Sequence, residues 1–117
     1  MISGIHSALS GLAALQKKIE ANATNVANVN TDGYKHYRVT LSEQSPNGVA
    51  AQVERVETPG PMVYEQTQAG ETLVEKSNTE LAEELPNAML TKRFFQANLK
   101  TVQTTDEMLG SLLDIKG

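Results

Sequence analysis

The chain has 117 residues, a formal net charge of −4, two Phe, three Tyr, and neither Trp nor Cys. That is one small domain's worth of chain with too few aromatic side chains for a large core. The acidic balance, with basic residues interleaved among acids, argues against a nucleic-acid partner, the lack of a long apolar run argues against lipid insertion, and the lack of cysteine excludes disulfides and thiolate metal sites.

The first element is a helix. Ile2, Ile5, Leu9, Leu12, Gln16, Ile19, Ala23 and Val26 step by three and four, and all but Gln16 are apolar. This is the spacing of a coiled-coil seam. Ser3 or Ser7 can cap its start. Gly4 and Gly11 each lower helix propensity by up to about 1 kcal/mol relative to Ala, so the first turns are expected to order only on meeting a partner. The N-terminus is already amphipathic and lacks the basic and apolar regions of a signal peptide, so no cleavable leader is expected. Asn28, Asn30, Thr31, Asp32 and Gly33 form a turn cluster that ends the helix, with Gly33 supplying a left-handed cap and Tyr34 packing over it. Asn22, Asn25 and Asn28 recur every three residues along one side. They read either as a solvated edge and helix exit or as inter-subunit hydrogen-bonding groups that set register.

After Gly33 the period changes from helical to alternating. Tyr37, Val39 and Leu41 predict a half-buried strand, Ser45-Pro46-Asn47-Gly48 a turn, and Val49 to Val56 a second strand. Thr58-Pro59-Gly60-Pro61 breaks the chain before Met62, Val63 and Tyr64. Gln66 to Gly70 reads as a polar loop, and Leu73-Val74 as a little more extended chain.

A second helix follows. Leu81, Leu85, Ala88, Lys92, Phe95, Leu99, Val102, Asp106, Leu109 and Leu113 repeat the same spacing, interrupted by Lys92 and Asp106. Ser77 and Glu80 fit a capping box. Glu80, Glu83 and Glu84 sit near the positive end of the helix dipole and read as a solvated helix start rather than a catalytic pair. Pro86 predicts either a kink, which is favoured, or a regular helix that begins only at Leu85-Pro86 after a separate turn over residues 77–84. Arg93 with Phe94-Phe95 could anchor an interface, although one of the two Phe residues suits plain core. Met89, Leu90 and Met108 read as core or seam. His6 and His36 fall in different elements without a metal-spaced partner and read as surface residues. No nucleophile–base pair or phosphate-cradling loop stands out, so no enzyme, metal or cofactor is expected.

The segment Asn25-Val26-Ala27-Asn28-Val29-Asn30-Thr31-Asp32-Gly33-Tyr34-Lys35, preceded by Ser7-Ala8-Leu9-Ser10-Gly11-Leu12, resembles the N-terminal signature of the bacterial flagellar rod, hook and hook-associated proteins. Ser77-Asn78-Thr79-Glu80-Leu81-Ala82-Glu83-Glu84-Leu85, Phe94-Phe95-Gln96-Ala97-Asn98 and Thr105-Asp106-Glu107-Met108-Leu109 resemble the same family's C-terminal stretches. The resemblance covers residues 3–35 and 77–115. It departs from the family pattern at Pro86 and at Thr79-Glu80. It implies an axial subunit, exported unfolded through the flagellar type III apparatus, whose paired terminal helices form the inner tube of a helical filament. The short middle segment is most like a proximal-rod subunit.

The expected fold is therefore mainly α with a small β insertion. Residues 1–33 form the N-terminal helix and turn corner, 34–76 a β-rich insertion, and 77–117 the C-terminal helix, in one structural unit. The expected subunit interface comprises Ile5, Leu9, Leu12, Ile19, Val26, Phe95, Leu99, Val102, Leu109 and Leu113. The expected turn corner comprises Asn28, Asn30, Thr31, Gly33 and Tyr34. The expected function is a structural subunit of the flagellar basal-body rod, in the periplasm-spanning part of the flagellum. Its partners are other axial subunits, itself and the export apparatus. The competing readings are a non-flagellar coiled-coil scaffold and, more remotely, a small enzyme with a pocket in the β insertion.

Overall fold

The computed structural model of the protein describes residues 2–116. Along the chain run α1 (Ile2–Ala27), β1 (Tyr37–Glu43), β2 (Val49–Arg55), β3 (Met62–Thr67), β4 (Gly70–Glu75) and α2 (Leu81–Lys116). The fold is mainly helical: the two long terminal helices pack against each other, and two antiparallel β-hairpins lie between them in sequence. Asn22 meets Glu84 and Gly11 approaches Asn98, so the helices run antiparallel.

The seam between the helices follows a three-four spacing that keeps Ala88, Phe95, Val102 and Leu109 of the α2 stripe but shifts on α1. There the row Ala8, Gly11, Leu15, Asn22 and Asn25 is buried, with Ala14 and Ala21 buried beside it. Each member of that row lies one residue before a member of the stripe Leu9, Leu12, Gln16, Ala23 and Val26, so this face is turned by about 100° from that stripe. On α2 the covered positions are Glu84, Ala88, Thr91, Phe95, Asn98, Val102, Thr105 and Leu109. Small residues let the backbones approach closely. A Cβ built on Gly11 would lie 3.1 Å from Asn98 Nδ2.

Both helix starts differ from expectation. α1 is already helical at Ile2, so Ser3 and Ser7 lie inside it and cap nothing. At α2 the capping box does not form. Ser77 Oγ accepts a bond from the Thr79 amide at 3.1 Å, while the Glu80 carbonyl accepts from the Glu83 and Glu84 amides at 3.1 and 2.9 Å. α2 then runs unbroken through Pro86, which excludes a regular helix that begins only at Leu85-Pro86. Pro86 costs one bond, the one its missing amide would make to the Ala82 carbonyl.

The segment between the helices holds four strands. β1 pairs with β2 from Tyr37 opposite Arg55 to Glu43 opposite Val49, and the Val56 amide continues the ladder to the His36 carbonyl. β3 pairs with β4 from Met62 opposite Glu75 to Thr67 opposite Gly70, so the stretch read as a polar loop is instead a tight turn over Gln68 and Ala69. The β1–β2 hairpin lies along α1. Its tip is held where Ser10 Oγ accepts the Val49 amide, and its base where Asn25 binds Tyr37. Seven strand residues span about 23 Å, and the rise from Ser10 to Asn25 is about 22 Å. That match lets one hairpin be pinned at both ends.

The molecule measures 79 × 24 × 20 Å with a radius of gyration of 20.7 Å, against about 13 Å for a compact chain of this length. Among the described residues the buried apolar core is four side chains, Ala8, Ala14, Leu15 and Ala21.

The seam makes opposite predictions at two glycines of α1. Gly11→Leu forces atoms against Asn98 and is expected to lower stability by about 1–3 kcal/mol. Gly4→Ala meets nothing within 4 Å and is expected to raise it by up to about 1 kcal/mol. Chemical denaturation followed by helical circular dichroism compares the two.

Candidate functional site

The end of α1, the start of α2 and the bases of both hairpins converge on two asparagines. Asn25 is 1 % exposed and uses its full hydrogen-bonding capacity. Its Nδ2 donates to the Tyr37 carbonyl at 2.8 Å and to Glu84 Oε1 at 3.2 Å; its Oδ1 accepts from the Tyr37 amide at 2.8 Å and the Tyr34 hydroxyl at 2.9 Å. Asn22 Nδ2 donates to the other carboxylate oxygen, Glu84 Oε2, at 2.7 Å. Two asparagines one turn apart thus hold both oxygens of one buried carboxylate. Glu84 lies in the first turn of α2, where the helix dipole favours a negative charge. Asn22 Oδ1 and Thr79 Oγ1 are buried without a hydrogen-bond partner.

Asn78 plays the matching part on the other side. Its Nδ2 donates to the carbonyls of Val56 and Thr58 at 2.9 and 2.8 Å, and its Oδ1 accepts from the His36 amide at 2.7 Å. His36 Nδ1 lies 2.8 Å from the same oxygen, a hydrogen bond when that nitrogen carries the proton. Burial, then the neighbouring Tyr37 and Glu84, hold the Tyr34 phenol above its ordinary pKa, so Tyr34 stays a donor to Asn25. The Tyr34 and Tyr37 rings meet edge to face with centroids 6.5 Å apart.

Around these two asparagines runs a belt of charge. Lys35 pairs with Glu75, and Lys76 pairs with both Asp32 and Glu65. Glu75 also accepts the Gly60 amide at 3.1 Å, and its own carbonyl accepts the Gly33 amide at 2.9 Å. Only glycine fits at position 60, because a Cβ there would lie 2.0 Å from the Lys76 carbonyl oxygen.

The expected corner residues occupy this junction without forming its centre. Asn28 Nδ2 bonds the Thr24 carbonyl at 2.8 Å, Thr31 Oγ1 bonds Asn28 Oδ1 at 3.0 Å, and Asn30 is exposed. Gly33 takes a left-handed φ of 71°, yet it sits in a turn well past the end of α1, so it is not a helix cap. Tyr34 reaches Asn25 instead of packing over Gly33. Both readings of Asn22 and Asn25 give way to a third, bonding within the chain, and Glu84 is buried where a solvated helix start was expected. The signal for this was present: Asn22 and Asn25 share their three-four spacing with Ala8, Gly11 and Leu15.

The residues expected at a subunit interface divide by position. Phe95, Val102 and Leu109 lie half-buried on the intramolecular seam, and Ile5, Leu12, Ile19 and Val26 are half-buried beside it. Leu9, Leu99 and Leu113 face outward. Ile19, Ala23, Val26 and Ala88 line an apolar groove of about 510 Å³ edged by Lys92. Near the end of α2, Met108, Leu112 and Ile115 form an exposed apolar stripe. A polar recess of about 270 Å³ between Lys18, Asn22, His36, Arg38 and Glu83 brings charged groups together. Among the described residues no group of three or more His, Cys, Asp or Glu is placed to hold a metal, and no helix is long and apolar enough to cross a membrane.

Residues 5–35 match the family described as flagella basal body rod protein. Residues 71–115 match the one described as flagellar basal body rod FlgEFG protein C-terminal. The chain belongs to the flagellar rod and hook axial protein family. It is 41% identical over 44 residues to the flagellar hook protein FlgE of Borreliella burgdorferi, covering 38% of this chain and 10% of that one. It is 44% identical over 43 residues to flagellar hook protein FlgE of Helicobacter pylori, covering 37% of this chain and 6% of that one. The match thus spans a tenth or less of these relatives' length. In this axial protein the two family segments meet at the junction just described. The N-terminal segment brings Asn22, Asn25, Tyr34 and Lys35, and the C-terminal segment brings Glu75, Asn78 and Glu84. Strands β1, β2 and β3 fall outside both.

Asn25→Ala strands Glu84, the Tyr34 hydroxyl and both peptide groups of Tyr37, and should cost about 3 kcal/mol, whereas Asn28→Ala at the exposed turn should cost under about 1 kcal/mol; urea unfolding measures both. The Lys35 and Gly60 bonds hold the Glu75 carboxyl below its ordinary pKa, so its contribution is complete above the unfolded carboxylate value and is lost as pH falls through the folded one. Melting temperature should therefore fall on acidification, and Glu75→Gln should flatten that limb. Asp32 and Glu65 raise the Lys76 pKa, so its contribution persists up to the ordinary ammonium range and fades only as pH rises through the elevated value.

Proposed function

We propose that this chain is a structural subunit of the bacterial flagellar basal-body rod, one that joins other axial subunits and itself through its terminal helices to build a helical tube that transmits torque. The observation that carries the reading is the outward placement of large apolar side chains on a helix pair already pinned from within. Leu9, Leu99 and Leu113 are 49%, 46% and 70% exposed, while the buried row between the helices includes Ala8, Gly11, Asn22, Asn25 and Thr91. Exposed apolar surface on this scale marks contact with other proteins. A contact made by different patches on successive copies does not close, and it grows a filament.

The short β segment, 34–76 in our division of the chain, favours a rod position over one that needs a large outer domain. The three segments act as one structural unit, because the junction ties 1–33 to 77–117 directly. Export through the flagellar type III apparatus and residence in the periplasm-spanning rod belong to the same proposal. The role is mechanical: buried polar bonds resist rotation of one helix about the other, and no catalytic step is assigned.

Replacing Leu9 or Leu99 by Asp tests this in the native host. Each variant should keep the parent melting temperature within a few degrees, yet lose recovery with isolated basal bodies and lose swimming. Normal motility from a folded double variant would refute the proposal.

A further inference from the structure

The apolar groove and the apolar stripe are complementary surfaces that cannot meet within one chain. The groove is walled by Ile19, Ala23 and Val26 of α1 and by Ala88 of α2. The stripe is Met108, Leu112 and Ile115, the last 83% exposed. Ala88 and Met108 are about 30 Å apart along one unbroken helix, so the stripe cannot fold back onto its own groove. The lengths agree: Ile19 to Val26 and Met108 to Ile115 are both i to i+7 spans, about 10 Å each. The charges agree as well. Lys92 edges the groove and makes no ion pair among the described residues, while Glu107 and Asp114 flank the stripe.

Resting on the proposed function and sharpening it, we infer that the α2 stripe of one copy seats in the groove of the next copy, with its helix parallel to the host's α2. In a head-to-tail stack every copy keeps one direction. Laying Met108 at the Val26 end of the groove then seats Leu112 by Ala23 and carries Asp114 and Ile115 to the Ile19–Ala88 end, which brings the acid towards Lys92 one turn further along α2. Groove and stripe are different patches at opposite ends of the same helix pair, so the contact is heterologous and propagates along the axis.

The cysteine-free sequence allows a direct test with full-length chains. A chain carrying Ala23→Cys is mixed with a mass-tagged chain carrying Leu112→Cys under mild oxidation. The mixed disulfide should form several times faster than with a Gln66→Cys control at the far hairpin. Lys92→Glu in the first chain should slow it by about fivefold, and Asp114→Lys in the second should restore the rate. A rate indifferent to these charges, or cross-links only between two Ala23→Cys chains, overturns the docking while leaving the rod assignment intact. So does capture by Ala23→Cys of a different axial subunit in place of a second copy. Failure of the rod assignment has its own readout, a folded Leu9→Asp, Leu99→Asp double variant that still swims.

Discussion

The structure depends on one buried carboxylate. Glu84 is 8 % exposed and makes no ion pair among the described residues; its two carboxyl oxygens are held by the amide groups of Asn22 and Asn25. Burying a carboxylate is costly unless its oxygens are bonded. Charge-assisted bonds from donors fixed on a neighbouring helix recover much of that cost, and the start of α2 adds its dipole. The arrangement is directional in a way that apolar packing is not. Sliding one helix by a turn would separate the carboxylate from both amides, so this cluster fixes the register of α1 against α2, as a buried polar group does in a coiled coil.

Because Asn25 also clamps the amide and carbonyl of Tyr37, the same residue that sets helix register sets where the first strand begins. Asn78 does the equivalent for the ends of β1 and β2 and for the break after them. Two asparagines therefore couple both helices to the β segment. This coupling explains how so thin a molecule keeps one shape with a core of four small or aliphatic side chains. It also explains why the large aliphatics are available elsewhere. Polar bonds and close backbone approach at Gly11 help hold the seam, leaving Leu9, Leu99 and the Met108–Ile115 stripe exposed.

Much of the fold was legible in the sequence because its local patterns are unambiguous. Strand alternation at Tyr37, Val39 and Leu41, the turn at Ser45-Pro46-Asn47-Gly48 and the three-four spacing at both ends each have one reading. The face of α1 that packs inward was written only in a fainter second row of three-four spacing. Hydrophobic weight draws the eye to Leu9, Leu12, Ile19 and Val26, but the chain buries the adjacent row of Ala8, Gly11, Leu15, Asn22 and Asn25. Under the proposed function the usual inference reverses, since the largest apolar residues are then the ones that serve the assembly. The fate of Glu84 was illegible for a related reason. An acid in the first turn of a helix is ordinarily solvated, and only the antiparallel placement of Asn22 and Asn25 turns that acid inward.

Native-state hydrogen exchange on the isolated full-length chain tests most directly whether this carboxylate cluster holds the molecule together. The account predicts that the amides of Asn22–Ala27, of Tyr37 and of the first turns of α2 are the slowest to exchange, and that they do so with one common opening free energy. Rapid exchange throughout α1 beside a separately protected hairpin would contradict it, for the helices would then be held apart until a neighbour arrives.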